Sequence, residues 1–173
     1  MKTFIIALIS LALLSGFVFT ERAIDINDEN YKFKFSLPLG WSERKIEETT
    51  KKDAISYSFD NSDGKMAIML LAFKVNEVKN LSDFIYTLEK DLTLNIPKRD
   101  GEYDDFDSGN YDGRMAKYKD SEFTEVIYYY RTKINEGQNY TYLLRFIGPS
   151  SFYNSSVESD IKSIAGNFTP VTE

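Results

Sequence analysis

The residues of this chain with the most chemistry to offer lie in one acidic run, Asp100-Gly-Glu-Tyr-Asp-Asp-Phe-Asp-Ser-Gly-Asn-Tyr-Asp-Gly113. Asp105, Asp107 and Asp112 carry the hard oxygen atoms that calcium prefers. The spacing is not that of an EF-hand. With Asp105 as the first position, Gly109 falls on a ligand position, Asn110 where glycine is required, and Ala116 where the bidentate glutamate should stand. A strand here would send Asp105, Asp107 and Gly109 to one face and Asp104, Phe106 and Ser108 to the other. That alternation favours a solvated acidic edge, which discourages aggregation, over an ion site. Asp105, Asp107 and Asp112 remain the ion-binding candidates, and no metal or cofactor is expected.

Chemistry of other kinds is bounded by what is missing. The 173 residues include no histidine and no cysteine. A Ser-His-Asp triad, a Cys-His dyad, a disulfide and a zinc site built on His or Cys are all excluded. Neither Gly-x-Gly-x-x-Gly nor a phosphate-binding Gly-x4-Gly-Lys-Ser/Thr loop is present. Paired carboxylates of the glycosidase kind are still open, but a sequence alone does not place two acids across a cleft. No catalytic residue is assigned. The tyrosine-rich stretch Tyr128-Tyr129-Tyr130 with Tyr140 and Tyr142 is read as sheet packing with polar tips reaching water. The alternative is a protein or glycan contact surface, for which Tyr129, Tyr140 and Tyr142 are the candidates.

These residues are positioned by a strand, helix, strand, helix order. Tyr31, Phe33, Phe35 and Leu37 alternate with Lys32, Lys34 and Ser36, the period of a strand with one buried face. Pro38-Leu39-Gly40 turns into Trp41, read as a core anchor beneath that turn, with Gly40 supplying the turn conformation. Strands follow over about 42–48 and 54–60, Asp60-Asn61-Ser62-Asp63-Gly64 closes a hairpin, and the apolar run 66–75 reads as a central strand covered on both faces. Asn80 caps a helix whose apolar positions Leu81, Phe84, Ile85, Leu88 and Leu92 recur up to Pro97. The acidic hairpin turns at Tyr111-Asp112-Gly113, with Gly113 again a turn glycine, into the strand 114–119. Strands at 125–134 and 140–147 flank the turn Asn135-Glu136-Gly137-Gln138, and a last helix starts at a Ser155/Glu158 capping box with Val157, Ile161, Ile164 and Ala165 as its stripe. The fold class is therefore α+β, a mainly antiparallel sheet flanked by helices, in a single domain over 30–170.

The first twenty residues hold one charge, Lys2, then an apolar run from Phe4 to Phe19 broken only by Ser10, Ser15 and Gly16, the layout of a cleaved secretory signal at 1–20. The run is short for a membrane span. Phe17 follows Leu14-Ser15-Gly16 where a lipidated cysteine would stand, so a lipid anchor is excluded. Cleavage between about Phe17 and Ala23 takes the net charge from −6 to about −7, which argues against nucleic acid and anionic lipid as partners and leaves no stable membrane insertion. A cysteine-free exported chain points to a bacterium and a periplasmic or extracellular place of work. The four Asn-x-Ser/Thr sequons, at Asn80, Asn139, Asn154 and Asn167, are then chance matches.

The order of elements, the opening Tyr31-Lys-Phe-Lys-Phe-Ser-Leu-Pro-Leu-Gly-Trp41, the helix start Asn80-Leu-Ser-Asp83, the strand Gly113-Arg-Met-Ala116 and the ending Ile164-Ala-Gly-Asn-Phe168 together resemble the PsbP-like family. The resemblance implies an α/β/α sandwich and a binding role without a shared catalytic set. Members include extrinsic subunits of photosystem II, a nuclear Ran-binding protein and many exported bacterial proteins. The function implied is an exported, non-enzymatic binding or accessory module docking on a protein or ligand of the cell envelope. A carboxylate-using hydrolase and a calcium-dependent stabilising module are the alternatives.

Overall fold

The structure, a computed structural model, describes residues 22–75, 80–133 and 138–172. The expected signal segment 1–20 lies outside the described residues, as does the 135–138 turn apart from Gln138. Ten strands and two helices are found among the described residues. They are β1 (Ile24–Asp28), β2 (Phe33–Leu37), β3 (Trp41–Glu48), β4 (Ala54–Asn61), β5 (Ala67–Val75), α1 (Leu81–Glu89), β6 (Asp104–Asp107), β7 (Tyr111–Lys119), β8 (Phe123–Thr132), β9 (Asn139–Pro149), α2 (Ser155–Ala165) and β10 (Thr169–Pro170). All pairings are antiparallel, so the α+β reading holds. There are two sheets rather than the single one expected: three strands in the order β1-β2-β10, and seven in the order β3-β4-β5-β9-β8-β7-β6. β1 and β10 were not foreseen; β1 begins before residue 30 and pairs along the whole of β2.

The seven-stranded sheet has two covered faces. On the first, Tyr57 and Phe59 of β4, Ile68 and Leu70 of β5, Tyr142, Leu144 and Phe146 of β9, and Val126 and Tyr130 of β8 meet Tyr31, Phe33, Phe35 and Leu37 together with Val157, Ile161, Ile164 and Ala165 of α2. On the second, Ile127, Tyr129 and Leu143 meet Leu81, Ile85 and Leu88 of α1. The alternation of Phe33, Phe35 and Leu37 thus delivers one fully buried face, as its period requires.

Helix boundaries follow local hydrogen bonding. Asn80 accepts from the Asp83 amide at 2.9 Å, the expected cap. α1 stops at Glu89, well before Pro97, because Asp91 captures the Thr93 amide at 2.8 Å in a side-chain turn that competes with further helix, leaving Leu92 almost fully exposed. The second helix is capped by Asn154, not Ser155: its carboxamide accepts from the amides of Ser156 at 2.9 Å and Val157 at 3.1 Å.

Two of the three residues expected to play structural parts do so differently. Gly40 holds φ +90°, a conformation that favours glycine, as expected of the turn. Gly113 sits inside β7 with no positive φ; the acidic hairpin turns instead through Gly109, at φ +83°. What Gly113 supplies is space. A Cβ there would lie 2.1 Å from the Phe106 ring, which crosses it from β6. Trp41 is half-buried at the start of β3, lining a groove with Pro38, Met66 and Phe152, so it packs against the first-face core from its margin rather than being buried within it. Among the described residues the polar β3 has no partner strand on its outer side.

An ion pair is built into the second face. Glu125 of β8 and Arg145 of β9 are 3% and 6% exposed, and the guanidinium donates from Nε and Nη2 to the two carboxylate oxygens at 2.8 and 2.7 Å. Its Nη1 donates to the Leu94 carbonyl at 2.7 Å, tying the segment after α1 to the sheet. Removing one partner strands a buried charge. Arg145→Met alone should therefore cost about 3–5 kcal/mol in urea unfolding, while Glu125→Leu with Arg145→Met should recover most of that loss. Equal costs for the single and double variants would show that the pair's charges are not what the fold responds to.

Candidate functional site

The sheet register decides which side chains share the site. Asp104 of β6 stands opposite Met115 of β7, which stands opposite Tyr128 of β8; in the same way Phe106, Gly113 and Tyr130 form the next row. Both rows lie on the first face, near the edge of the sheet where α2 passes over. Between these strands and the helix is an open cleft of about 790 Å³. Its floor is aromatic. The Phe106 ring, lying over Gly113, meets Tyr130 edge-on at 5.5 Å, and Tyr130 also contacts Tyr111 at 5.8 Å and Phe168 at 4.7 Å. Tyr128 contacts Phe146 edge-on at 6.1 Å. Phe106, Tyr111, Met115 and Tyr128 are only half-buried, so apolar surface is left facing the cleft.

Tyr130 is the exception, at 3% exposed. Its hydroxyl has no hydrogen-bond partner among the described residues, and it is not sealed from solvent, so the hydroxyl opens to the cleft that the residue lines. Burial pushes its phenol well above the ordinary value, reinforced by the neighbouring Tyr128 and Tyr111. Burial also raises Tyr128, with the charges of Glu158 and Asp104 adding to it. Tyr153 is pushed up to about 12 by burial and then by Glu158. These phenols stay neutral at any physiological pH and can donate hydrogen bonds.

The rim is acidic. Asp100, Glu102 and Asp104 line the cleft from the sheet side and Glu158 from α2, beside the lysines Lys117 and Lys162. The Lys117 ammonium lies 3.6 Å from the Asp100 carboxylate and 5.8 Å from the centre of the Tyr153 ring.

The three acids proposed as ion ligands lie on the second face, each beside a cation. Asp105 is held by Arg114, which also donates to the Ser82 hydroxyl at 3.1 Å. Asp107 is bonded by Lys133 and by the Gly109 amide, and the Lys133 bond is the main reason its carboxyl lies below the usual range. Asp112 accepts two bonds from Arg131, both at 3.0 Å. Asp107 and Asp112 are cross-strand neighbours, yet no group of three or more acids, histidines or cysteines suited to a metal occurs among the described residues.

The tyrosines proposed as a contact surface are core residues. Tyr129 and Tyr142 are fully buried and Tyr140 is 9% exposed. Strands β8 and β9 lie in the interior of the sheet, and these tyrosines are covered by the first-face core on one side and by α1 on the other. Tyr142 donates to the carbonyls of Tyr31 and Lys32 at 2.9 and 2.7 Å, joining the two sheets. Tyr129 belongs to a chain on the second face: Tyr118 spends its one proton on Glu89 at 2.6 Å, so Tyr129 is the donor in the 2.9 Å contact between the two hydroxyls. The cleft residues Tyr128, Met115 and Phe106 were not singled out from sequence as a binding surface. The signal lay in the alternation itself: of three consecutive tyrosines, the outer two must share the face opposite Tyr129.

No protein-family profile matches the chain, and no curated protein does. Among solved structures, the chain is similar to LpqN, described as involved in cell envelope biogenesis of Mycobacterium tuberculosis, at 8% identity and a TM-score of 0.45, covering 88% of this chain and 92% of that one. No helix among the described residues is long and apolar enough to cross a membrane.

Calcium binding to the folded state alone would add about 2.7 kcal/mol of stability at a hundred times its dissociation constant. With Asp105, Asp107 and Asp112 already beside cations, thermal melts in EDTA, calcium and magnesium should show no calcium-specific rise. A rise that vanishes on Asp105→Asn with Asp107→Asn would establish an ion site on this edge.

Proposed function

We propose that this chain is an exported, non-enzymatic binding or accessory module of the PsbP-like kind, working in the periplasm or outside the cell, and that it engages a protein or ligand of the cell envelope through the cleft between β6-β7-β8 and α2. The reading is carried by one observation: a cleft of about 790 Å³ floored by half-buried aromatic rings, into which a nearly buried hydroxyl without a protein partner opens. Apolar surface converging with a few polar groups in a concavity of this size is the usual form of a small-ligand site. The absence of histidine and cysteine from the whole sequence supports binding over catalysis.

The competing carboxylate hydrolase draws on Asp104 and Glu158, which reach the same cleft from a strand and from a helix. Both are exposed, and neither has the apolar surround that makes a carboxyl a general acid at neutral pH.

The test is retention from the envelope fraction of the source cell on the immobilised mature protein. Tyr128→Ala and Met115→Lys should each lower the amount of retained species about tenfold, as expected when a contact residue at the centre of a site is lost. Leu92→Ser, on an exposed segment after α1, should retain it in full. Equal retention by the cleft variants and the wild type would move the binding surface elsewhere, and turnover of the retained species that stops in Glu158→Gln would make the chain an enzyme.

A further inference from the structure

The charge on the cleft is unbalanced. Four carboxylates of this side line it, Asp100, Glu102, Asp104 and Glu158, and Asp105 reaches it from the other face around the edge strand; two have cations of their own, Asp100 with Lys117 and Asp105 with Arg114. Glu102, Asp104 and Glu158 are left facing one lysine, Lys162. These charges stand around aromatic rings, whose faces attract cations, most strongly where water is excluded. The chain displays the arrangement internally, since the Lys117 ammonium sits between a carboxylate and the Tyr153 ring.

A second, independent feature is the Tyr130 hydroxyl, which belongs to a side chain 97% buried and has no partner among the described residues. A hydroxyl held in an apolar surround gains most from a ligand group that hydrogen-bonds to it. An ammonium N–H donates to its oxygen, while an anion in the same place would meet Asp104 and Glu158. Beside it, Met115 supplies a flexible apolar surface that adapts to different ligand bodies. The size of the cleft falls in the range of small-molecule sites rather than extended protein interfaces.

Resting on the reading of the cleft as the binding site, the geometry points to a small organic ammonium ion as its ligand, with the charge between Asp104 and Glu158 beside Tyr128, an N–H on the Tyr130 hydroxyl, and the apolar body against Met115 and Phe106.

The experiment is an NMR titration of the full mature protein with three probes of similar shape: phenethylammonium, 2-phenylethanol and 3-phenylpropanoate. The ammonium should shift the Met115 methyl and the Tyr128 and Tyr130 ring signals and bind about tenfold more tightly than the alcohol, with the anion weakest. Asp104→Asn with Glu158→Gln should bring ammonium and alcohol within about twofold while lowering the melting temperature by no more than about 5 °C, because both side chains are exposed and only the first-turn charge of α2 is lost. Equal binding of ammonium and alcohol at these signals would overturn the charge inference and leave the cleft as a binding site. If no probe moves them, both the inference and the reading beneath it fall. Tighter binding of acetyl-Gly-Lys-Gly-amide than of phenethylammonium would overturn the small-molecule ligand in favour of a lysine on a partner protein.

Discussion

The seven-stranded sheet is wider than the described elements that cover it. At a spacing of about 4.8 Å, seven strands span about 29 Å, whereas a three-stranded sheet spans about 10 Å and a helix adds about 10 Å. The first face is covered by one of each, β1-β2-β10 and α2, and roughly two strands of width are left over. The remainder falls at the β6 and β7 edge, where the cleft opens. On the second face the cover is α1, nine residues long, with the segment after it.

From the same mismatch follows the contrast between the middle of the sheet and its edges. Strands β5, β9 and β8 are covered on both sides over most of their length, and the charged groups buried there have partners in place, while among the described residues the Thr141 hydroxyl of β9 is buried without one. Glu125 and Arg145 satisfy each other and the Leu94 carbonyl, and Tyr118 and Tyr129 hand their protons along to Glu89. A buried ion pair of this kind contributes little net stability, since desolvation offsets its attraction, but it penalises any register in which the two charges part. At the edges, charge is used differently. β6 carries acids bonded to Arg114 and Lys133, and β3 reads Ser-Glu-Arg-Lys-Ile-Glu-Glu after Trp41, both poor templates for another strand.

How far the sequence was legible depends on whether a feature is local. The alternation of Phe33, Phe35 and Leu37, the Asn80 cap and the positive φ at Gly40 depend on near neighbours, and each was readable. Gly113 was misread because its reason is Phe106, brought over it by the pairing of β6 with β7. For Tyr129, Tyr140 and Tyr142 the packing reading holds and the contact-surface alternative does not, and the sequence could not choose between them because their burial comes from α1 and from β2, distant in sequence. The cap moved from Ser155 to Asn154 because either residue type satisfies the local pattern and only geometry chooses. The cleft needed four distant pieces, β6, β7, β8 and α2, and no short motif joins them. Its acids were visible in the sequence, yet the ones that look most like ligands, Asp105, Asp107 and Asp112, are on the other face.

The central claim, that this cleft is where the chain binds, can be tested directly because the chain has no cysteine of its own. A single thiol introduced as Met115→Cys reports on the cleft, and Leu92→Cys reports on an exposed site away from it. Maleimide labelling of each is timed with and without the envelope fraction. The account predicts that the fraction slows labelling at 115 about tenfold or more and leaves 92 unchanged, as expected for a thiol covered by a bound ligand. An unchanged rate at 115, or equal slowing at both positions, would contradict it.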